Sequence, residues 1–221
     1  MFAKEIISDT LKPLEYSDTG EHAMVLMHDY NVSQLPVIDE GKYVGLISLE
    51  EILSLRHLND PLKKIHTSLT KPYVHESSHL FDVMKAGVEF NVKTIPVLSD
   101  EDDSYLGIIS AEGCMRAFAK LNSVLDEGSV LELEVPIKDF QLSEIARIAE
   151  SNSVTILAYY SNIIQENGIV EVTLKLNTNE LSALVSAFER YEYVVKGVHH
   201  EEEYTEDLKD RYDAFMHFLD V

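Results

Sequence analysis

Ser48 and Glu51 are the two residues whose types and spacing best suit binding of a small ligand. They stand three positions apart in Ser48-Leu49-Glu50-Glu51, after an apolar run, which predicts the start of a helix. A serine at a helix N-terminus can bind a phosphate or a ribose, and a carboxylate can accept two ribose hydroxyls. The same pair also predicts a capping box, in which each side chain bonds the backbone N–H of the other residue. The two interpretations are compatible, and both are kept.

The motif stands at the end of a longer unit that occurs twice. The first copy runs from Tyr30-Asn31-Val32 to Gly45-Leu46-Ile47-Ser48, and the second from Phe90-Asn91-Val92 to Gly107-Ile108-Ile109-Ser110. Apolar spacing predicts helix, strand, turn, strand, helix in each copy. The predicted strands are 34–38, 43–47, 94–98 and 105–109, and the helices after them are 49–55 and 112–119. Such a repeat indicates one supersecondary unit used twice and packed against itself.

With these residues laid out, the first half of the chain resembles a tandem pair of cystathionine beta-synthase (CBS) domains, a Bateman module, with predicted bounds 1–62 and 63–122. The resemblance rests on the Leu/Ile-Pro-Val strand, the Gly-aliphatic-aliphatic-Ser strand end and the acid Glu51. It implies a regulatory module that binds an adenosine-containing ligand in clefts between the two copies and associates as a dimer. The implied binding residues are Leu35, Pro36, Ser48, Glu51, Lys93, Ile95, Pro96 and Ser110.

The second copy departs from the family pattern, because Gly113 stands where the acid should be. A ribose clamp is missing there, so we expect at most one well-formed site per chain. Lys93 lies where such modules often carry a phosphate-contacting base, and a solvated lysine at a strand end is the alternative interpretation. Acidic surroundings disfavour polyphosphates, so adenosine or cationic S-adenosylmethionine is expected to suffer less repulsion than ATP. AMP, ADP and ATP stay candidates.

The second half of the chain begins after a predicted linker over 123–129 and has another pattern. Strands are predicted near 131–135, 154–162, 170–176 and 193–198, and helical stripes at 142–149 and 181–188. This β-α-β-β-α-β order over 130–200 is ferredoxin-like and is similar to an ACT domain. The segment Pro136 to Leu142 lacks the glycine of amino-acid-binding ACT domains, which puts such a ligand in doubt. A CBS pair followed by an ACT-like domain is similar to the acetoin-utilisation type of CBS protein.

The last segment, 201–221, is predicted to be an acidic amphipathic helix with Leu208, Tyr212, Phe215 and Leu219 on one face. That face must pack on its own domain or on a partner chain. Just before it, His199-His200 are adjacent at a strand end and therefore point to opposite faces, so no metal site is predicted.

Composition excludes several classes of function. The 221 residues carry 18 Lys and Arg against 39 Asp and Glu, a net charge of -21, which disfavours binding to nucleic acid or to an anionic membrane. The single cysteine, Cys114, excludes an internal disulfide and indicates a reducing cytoplasm. No secretion signal or membrane span is expected. No catalytic motif is present, so an enzyme is not expected.

The sequence thus predicts a mixed α+β and α/β fold: a CBS pair, an ACT-like domain and an acidic helix. The predicted function is a non-catalytic, cytoplasmic, homodimeric sensor for an adenosine-containing ligand, whose state passes through the ACT-like domain. An interaction scaffold with vestigial clefts, binding a partner enzyme, is the alternative.

Overall fold

The computed structural model describes residues 1–8, 10–65 and 69–199. The chain forms two compact units, Met1–Leu121 and Asn122–Val221. Each unit has its own sheets and its own apolar core. The helix predicted over 201–221 lies outside the described residues.

The first unit contains the same five elements twice. The first set is β1 (Leu14–Glu15), α1 (Gly20–Asp29), β2 (Gln34–Asp39), β3 (Lys42–Ser48) and α2 (Leu49–Leu53). The second set is β4 (Val74–His75), α3 (Leu80–Glu89), β5 (Thr94–Leu98), β6 (Tyr105–Ser110) and α4 (Ala111–Leu121). They form two three-stranded sheets, β1-β2-β3 and β4-β5-β6, in which the first pair is parallel and the second antiparallel.

The two sheets share their cores through the end of β3 and the end of β6. Ile47 packs in the core of the first repeat, whereas its neighbour Leu46 packs in the core of the second. Ile109 and Ile108 do the reverse: Ile109 lies in the second core and Ile108 in the first. Successive strand residues point to opposite faces, so two adjacent aliphatic residues can fill two cores. The repeat is therefore packed against itself, as its sequence predicts.

The repeated glycine before these aliphatic residues lets a connecting segment cross the edge strand. A Cβ atom on Gly45 would lie 2.5 Å from Leu69 Cβ, and the next residue, Leu46, donates its N–H to Thr70 O at 2.8 Å. Gly107 has φ +157° and lies against Ile7 in the same way. A side chain at either position would displace the crossing segment, so glycine is required.

The second unit has the β-α-β-β-α-β order that the sequence predicts. Its elements are β7 (Ser129–Pro136), α5 (Leu142–Ser151), β8 (Ile156–Ile164), β9 (Ile169–Leu176), α6 (Ser182–Arg190) and β10 (Val194–His199). The sheet order is β10-β7-β9-β8, with every pair antiparallel. Leu131, Leu133 and Val135 point to the face that packs against the helices, where Phe188 is fully buried. The neighbours Glu132 and Glu134 point to the opposite face.

Candidate functional site

A groove of about 780 Å³ lies in the first unit, between the two repeats. Residues 29–32, at the end of α1, come from the first repeat, and Lys93, residues 110–113 and Arg116 come from the second. The remaining wall is the segment before β1, with Ile6, Ser8, Thr10 and Leu11. A cavity of this size can take a nucleotide-sized molecule.

Polar groups converge where α4 begins. Ser110 Oγ accepts a hydrogen bond from Gly113 N at 3.0 Å, and Ala111 N donates to Lys93 O at 2.8 Å. The hydroxyl of Ser110 caps the helix, and its neighbour Lys93 carries an exposed ammonium group beside the same helix end. An eleven-residue helix such as α4 presents partial positive charge at its N-terminus, which favours an anion.

Among the groove residues that the structure describes, the charged side chains are balanced. Lys93 and Arg116 are the bases, and Asp29 and Glu112 the acids. Arg116 forms an ion pair with Glu112 one turn earlier on α4, and both side chains are largely exposed. Across the described ranges, Lys93 has no ion-pair partner, so its charge is available to a ligand.

Ser48 and Glu51 form the predicted capping box. Glu51 Oε2 accepts hydrogen bonds from Ser48 N at 2.7 Å and Ser48 Oγ at 2.8 Å, and Glu51 N donates to Ser48 Oγ at 3.2 Å. The carboxylate is thus engaged within its own helix turn, and neither residue lines the groove beside Ser110. Of the eight residues predicted to bind ligand, the groove brings together Lys93 and Ser110.

The four strand residues of the prediction are in the interior. Leu35 and Ile95 are 0% and 2% exposed and belong to the two cores, and Pro36 and Pro96 are buried beside them. Their side chains do not line the groove. These residues belong to β2 and β5, which position the groove. The two strands contact each other where Thr94 Oγ1 donates to Gln34 O at 3.1 Å.

Sequence reasoning missed most of the groove wall. Residues 29–32 carried a signal, because Asn31 and Asn91 recur at equivalent places and adopt left-handed φ values of 52° and 50°. The segment with Ser8 and Thr10 gave no such signal, since its position depends on crossing β6, far along the chain.

The other candidate groups offer no reactive centre. Cys114 is 7% exposed, and burial raises the pKa of its thiol, which keeps it protonated and unreactive. Within 1–8, 10–65 and 69–199, no three metal-ligating side chains lie close enough to hold an ion. Of the adjacent pair His199-His200, His200 lies outside the described residues. Among the helices that the structure describes, none combines the length and apolar character of a membrane span.

A β-α-β-β-α unit used twice, with a polar groove between the copies, defines a tandem-repeat module. The CBS domain family model matches residues 3–58 and 63–120. The chain belongs to the CBS-domain family.

Known proteins are similar to about half of this chain. Inosine-5'-monophosphate dehydrogenase of Methanocaldococcus jannaschii is 28% identical over 120 residues, which is 52% of this chain and 23% of the dehydrogenase. A CBS domain pair/ACT domain protein from Thermotoga maritima is 21% identical, with a TM-score of 0.48, over 54% of this chain and 98% of that one. A putative acetoin utilization protein from Vibrio cholerae is 16% identical, with a TM-score of 0.48, over 57% and 95%.

Proposed function

We propose that the protein is a non-catalytic regulatory sensor that binds an adenosine-containing ligand in the groove beside Ser110. The observation that carries this proposal is the groove itself: both repeats of a CBS pair form its walls, and a helix N-terminus meets there with Lys93, which pairs with no acid among the described residues. A ligand there touches both repeats at once. It can therefore favour one relative arrangement of the repeats over another.

The charge balance selects the ligand's class. A phosphate is expected at the start of α4, with Lys93 and Ser110, and the base against the apolar wall that includes Leu11 and Val32. The single charge of Lys93 offsets one phosphate well and three poorly, and the chain carries a net charge of -21. Among nucleotides we therefore expect AMP to bind more tightly than ATP. S-adenosylmethionine, whose sulfonium is cationic, is the competing ligand of this class.

The six other residues that the sequence predicts to bind ligand have other roles in the proposal: Ser48, Glu51, Leu35, Pro36, Ile95 and Pro96. The capping box at Ser48 offers a second helix N-terminus, and Glu51 would have to exchange its internal hydrogen bonds for ribose hydroxyls. The buried strand residues hold the groove walls at their spacing.

Isothermal titration and thermal shift with adenosine, AMP, ADP, ATP, NAD and S-adenosylmethionine test the proposal. At about 100 times its dissociation constant, a specific ligand stabilises the folded state by about 2.7 kcal/mol. Lys93→Gln should weaken AMP about tenfold, through loss of one charge-assisted hydrogen bond. Lys120→Gln removes the same charge from the exposed far end of α4 and should change nothing. If none of these compounds shifts the unfolding temperature at millimolar concentration, the proposal is overturned.

We infer that the second unit is a ferredoxin-like, ACT-like domain over 130–200 that mediates dimerisation and passes on the ligand state. Its element order and antiparallel strand order support this. The segment between β7 and α5 contains no glycine, so an amino-acid effector is not proposed. The proposed bounds of the two CBS domains are 1–62 and 63–122, and the proposed linker is 123–129. We also propose a cytoplasmic location and a partner enzyme.

A scaffold for another protein is the second candidate, and one surface favours it. Phe81 and Val88 on α3 are 59% and 81% exposed, and Met115 on α4 is 66% exposed. The equivalent positions of α1 are Glu21 and His28, so the exposed apolar pair on α3 has no counterpart in the first repeat, whereas Leu53, the equivalent of Met115, is also 59% exposed. If capture of a partner protein is lost in Val88→Asp but kept in Lys93→Gln, the scaffold function is supported; the reverse favours the sensor.

A further inference from the structure

The first unit contains a second cavity, of about 370 Å³, where β3 begins and where β5 turns into β6. The groove beside Ser110 lies where β6 ends, and over the described residues the two cavities share no lining residue. The second cavity has about half the volume of the groove, 370 against 780 Å³. It therefore suits a molecule smaller than a nucleotide.

The positive charges of the second cavity do not belong to the repeat. Lys71 and Lys42 both line it. Lys71 and Leu11 hold equivalent places before β4 and β1, and Lys42 and Ser104 hold equivalent places before the repeated glycine. Both lysines thus stand where the other repeat carries an uncharged side chain.

Tyr43 holds one wall of the second cavity in place. Its Oη donates to Pro72 O at 3.0 Å, which fixes the segment that carries Lys71 and Tyr73 against β3. Burial raises the pKa of Tyr43, so the phenol remains a donor at neutral pH. The hydroxyl of the counterpart Tyr105 is buried as well, yet it has no hydrogen-bond partner in the described part of the chain. The anchored wall is therefore a feature of one side of the module.

The acids of the second cavity come from the turn between β5 and β6. Asp103 Oδ1 accepts from His75 Nε2 at 3.1 Å, and Asp102 Oδ1 accepts from Ser104 N at 3.1 Å. Hydrogen bonds from Ser104 lower the pKa of Asp102, so this carboxylate is charged at neutral pH. A carboxylate has about four lone-pair sites, so both acids can accept further hydrogen bonds.

The two lysines are not neutralised by these acids. Neither Lys42 nor Lys71 forms an ion pair with any acid that the structure describes. Cations and anions therefore line one small cavity without pairing. Tyr73, which is 46% exposed, and Leu98 add an apolar wall. Such a site suits a zwitterion, because lysines attract a carboxylate, whereas aspartates and an aromatic ring attract an ammonium group.

We propose that the second cavity binds a free α-amino acid with an apolar side chain. The carboxylate of the ligand faces the two lysines, its ammonium group faces the two aspartates, and its side chain lies against Tyr73 and Leu98. A simple anion would meet two aspartates and a simple cation two lysines, so the site favours a ligand that carries both charges. Binding here does not require a nucleotide in the groove, since the two cavities have separate walls.

Calorimetry of the full chain with L-leucine and L-phenylalanine tests the class of ligand. Two half-ligands are the controls: isocaproate keeps the carboxylate of leucine without its ammonium group, and isoamylamine keeps the ammonium group without the carboxylate. Each should bind about tenfold or more weakly than leucine, because one set of charge-assisted hydrogen bonds is lost. Equal binding of either half-ligand overturns the inference. So does the absence of binding by both amino acids at millimolar concentration.

Matched charge substitutions locate the site. Lys71→Gln and Asp103→Asn each remove one charge from an exposed side chain of the cavity and should weaken leucine about tenfold. Lys120→Gln and Asp126→Asn remove the same charges from exposed or half-buried positions elsewhere and should change nothing. Unchanged leucine affinity in both cavity variants overturns the inference, because leucine would then bind elsewhere. AMP should bind Asp103→Asn as it binds the parent, so the nucleotide proposal stands or fails separately.

Discussion

Gly113 is the residue at which the two repeats differ most in their capacity to bind a ribose. A Cβ atom there would lie 3.4 Å from Ser110 Oγ and 3.8 Å from Ile6 O, which are ordinary contacts. The position therefore accepts a side chain, and packing would allow an acid there. The equivalent Glu51 shows that a carboxylate on this turn reaches the helix cap.

Restoring the acid should create the missing clamp. We expect Gly113→Glu to bind AMP about tenfold or more tightly than the parent, since a carboxylate that accepts ribose hydroxyls gains roughly 1.5–3 kcal/mol. Calorimetry with AMP, 2'-deoxy-AMP and 3'-deoxy-AMP measures this gain. Each deoxy nucleotide should bind Gly113→Glu and the parent with the same affinity. Equal gains for all three nucleotides would show that the new side chain acts without holding the ribose.

Tyr193 gives the second unit a dependence on alkaline pH. It is 3% exposed, its Oη donates to Glu144 Oε2 at 3.3 Å, and burial raises its pKa to about 12. The unfolded value is about 10, so the stability from the neutral phenol is complete below pH 10 and is lost as pH rises through 12. We expect the unfolding free energy of Tyr193→Phe to fall less between pH 9 and 12 than that of the parent, by denaturant titration. Tyr73→Phe, at a 46% exposed position, should keep the parent's slope.

At the scale of elements, the crossing segments fix the two repeats. Gly45→Ala would place a Cβ atom 2.5 Å from Leu69 Cβ and 3.1 Å from Thr70 O, so the segment that covers β3 must move. We expect a loss of about 1–3 kcal/mol in the unfolding free energy, measured by urea titration.

The matched control is another glycine of the same unit. A Cβ atom on Gly87, within α3, would meet Ile95 Cδ1 only at 3.5 Å. Gly87→Ala should therefore leave stability unchanged or raise it by about 1 kcal/mol, because alanine favours the helix. Equal losses in both variants would show that the crossing segment is not what requires Gly45.

The elements that the sequence predicts well are those with local signals. Strands β2, β3, β5 and β6 each have an apolar run bounded by turn residues, and the structure confirms them. The two-residue strands β1 and β4 are too short to show a period, and helix α2 ends at Leu53 because Ser54 caps it. The groove residues Lys93 and Ser110 belong to the repeat and could be found in it. Ser8 and Thr10 could not, because only the packing of distant strands brings them to the groove.

At the scale of the whole molecule, the two proposals meet in one thermodynamic relation. The groove that touches both repeats and the proposed dimer contact of the second unit are separate proposed sites, and a sensor that uses both must couple them. Coupling is a single free energy, so the factor by which AMP changes dimer dissociation must equal the factor by which dimerisation changes AMP affinity. Without such coupling, a ligand in the groove could not change dimerisation.

That relation can be measured on two chains. We expect AMP to change the dimer dissociation constant of the parent by about fivefold or more, the usual range for coupled sites, in sedimentation experiments with and without nucleotide. AMP affinity measured at chain concentrations far below and far above that dissociation constant should differ by the same factor, in the direction that the dimerisation response requires. Lys93→Gln is the control. At nucleotide concentrations too low to fill its groove, its dimer dissociation constant should equal that of the ligand-free parent. If AMP binds the monomer and the dimer equally, the ligand does not act through the dimer, and its effect must end within the first unit.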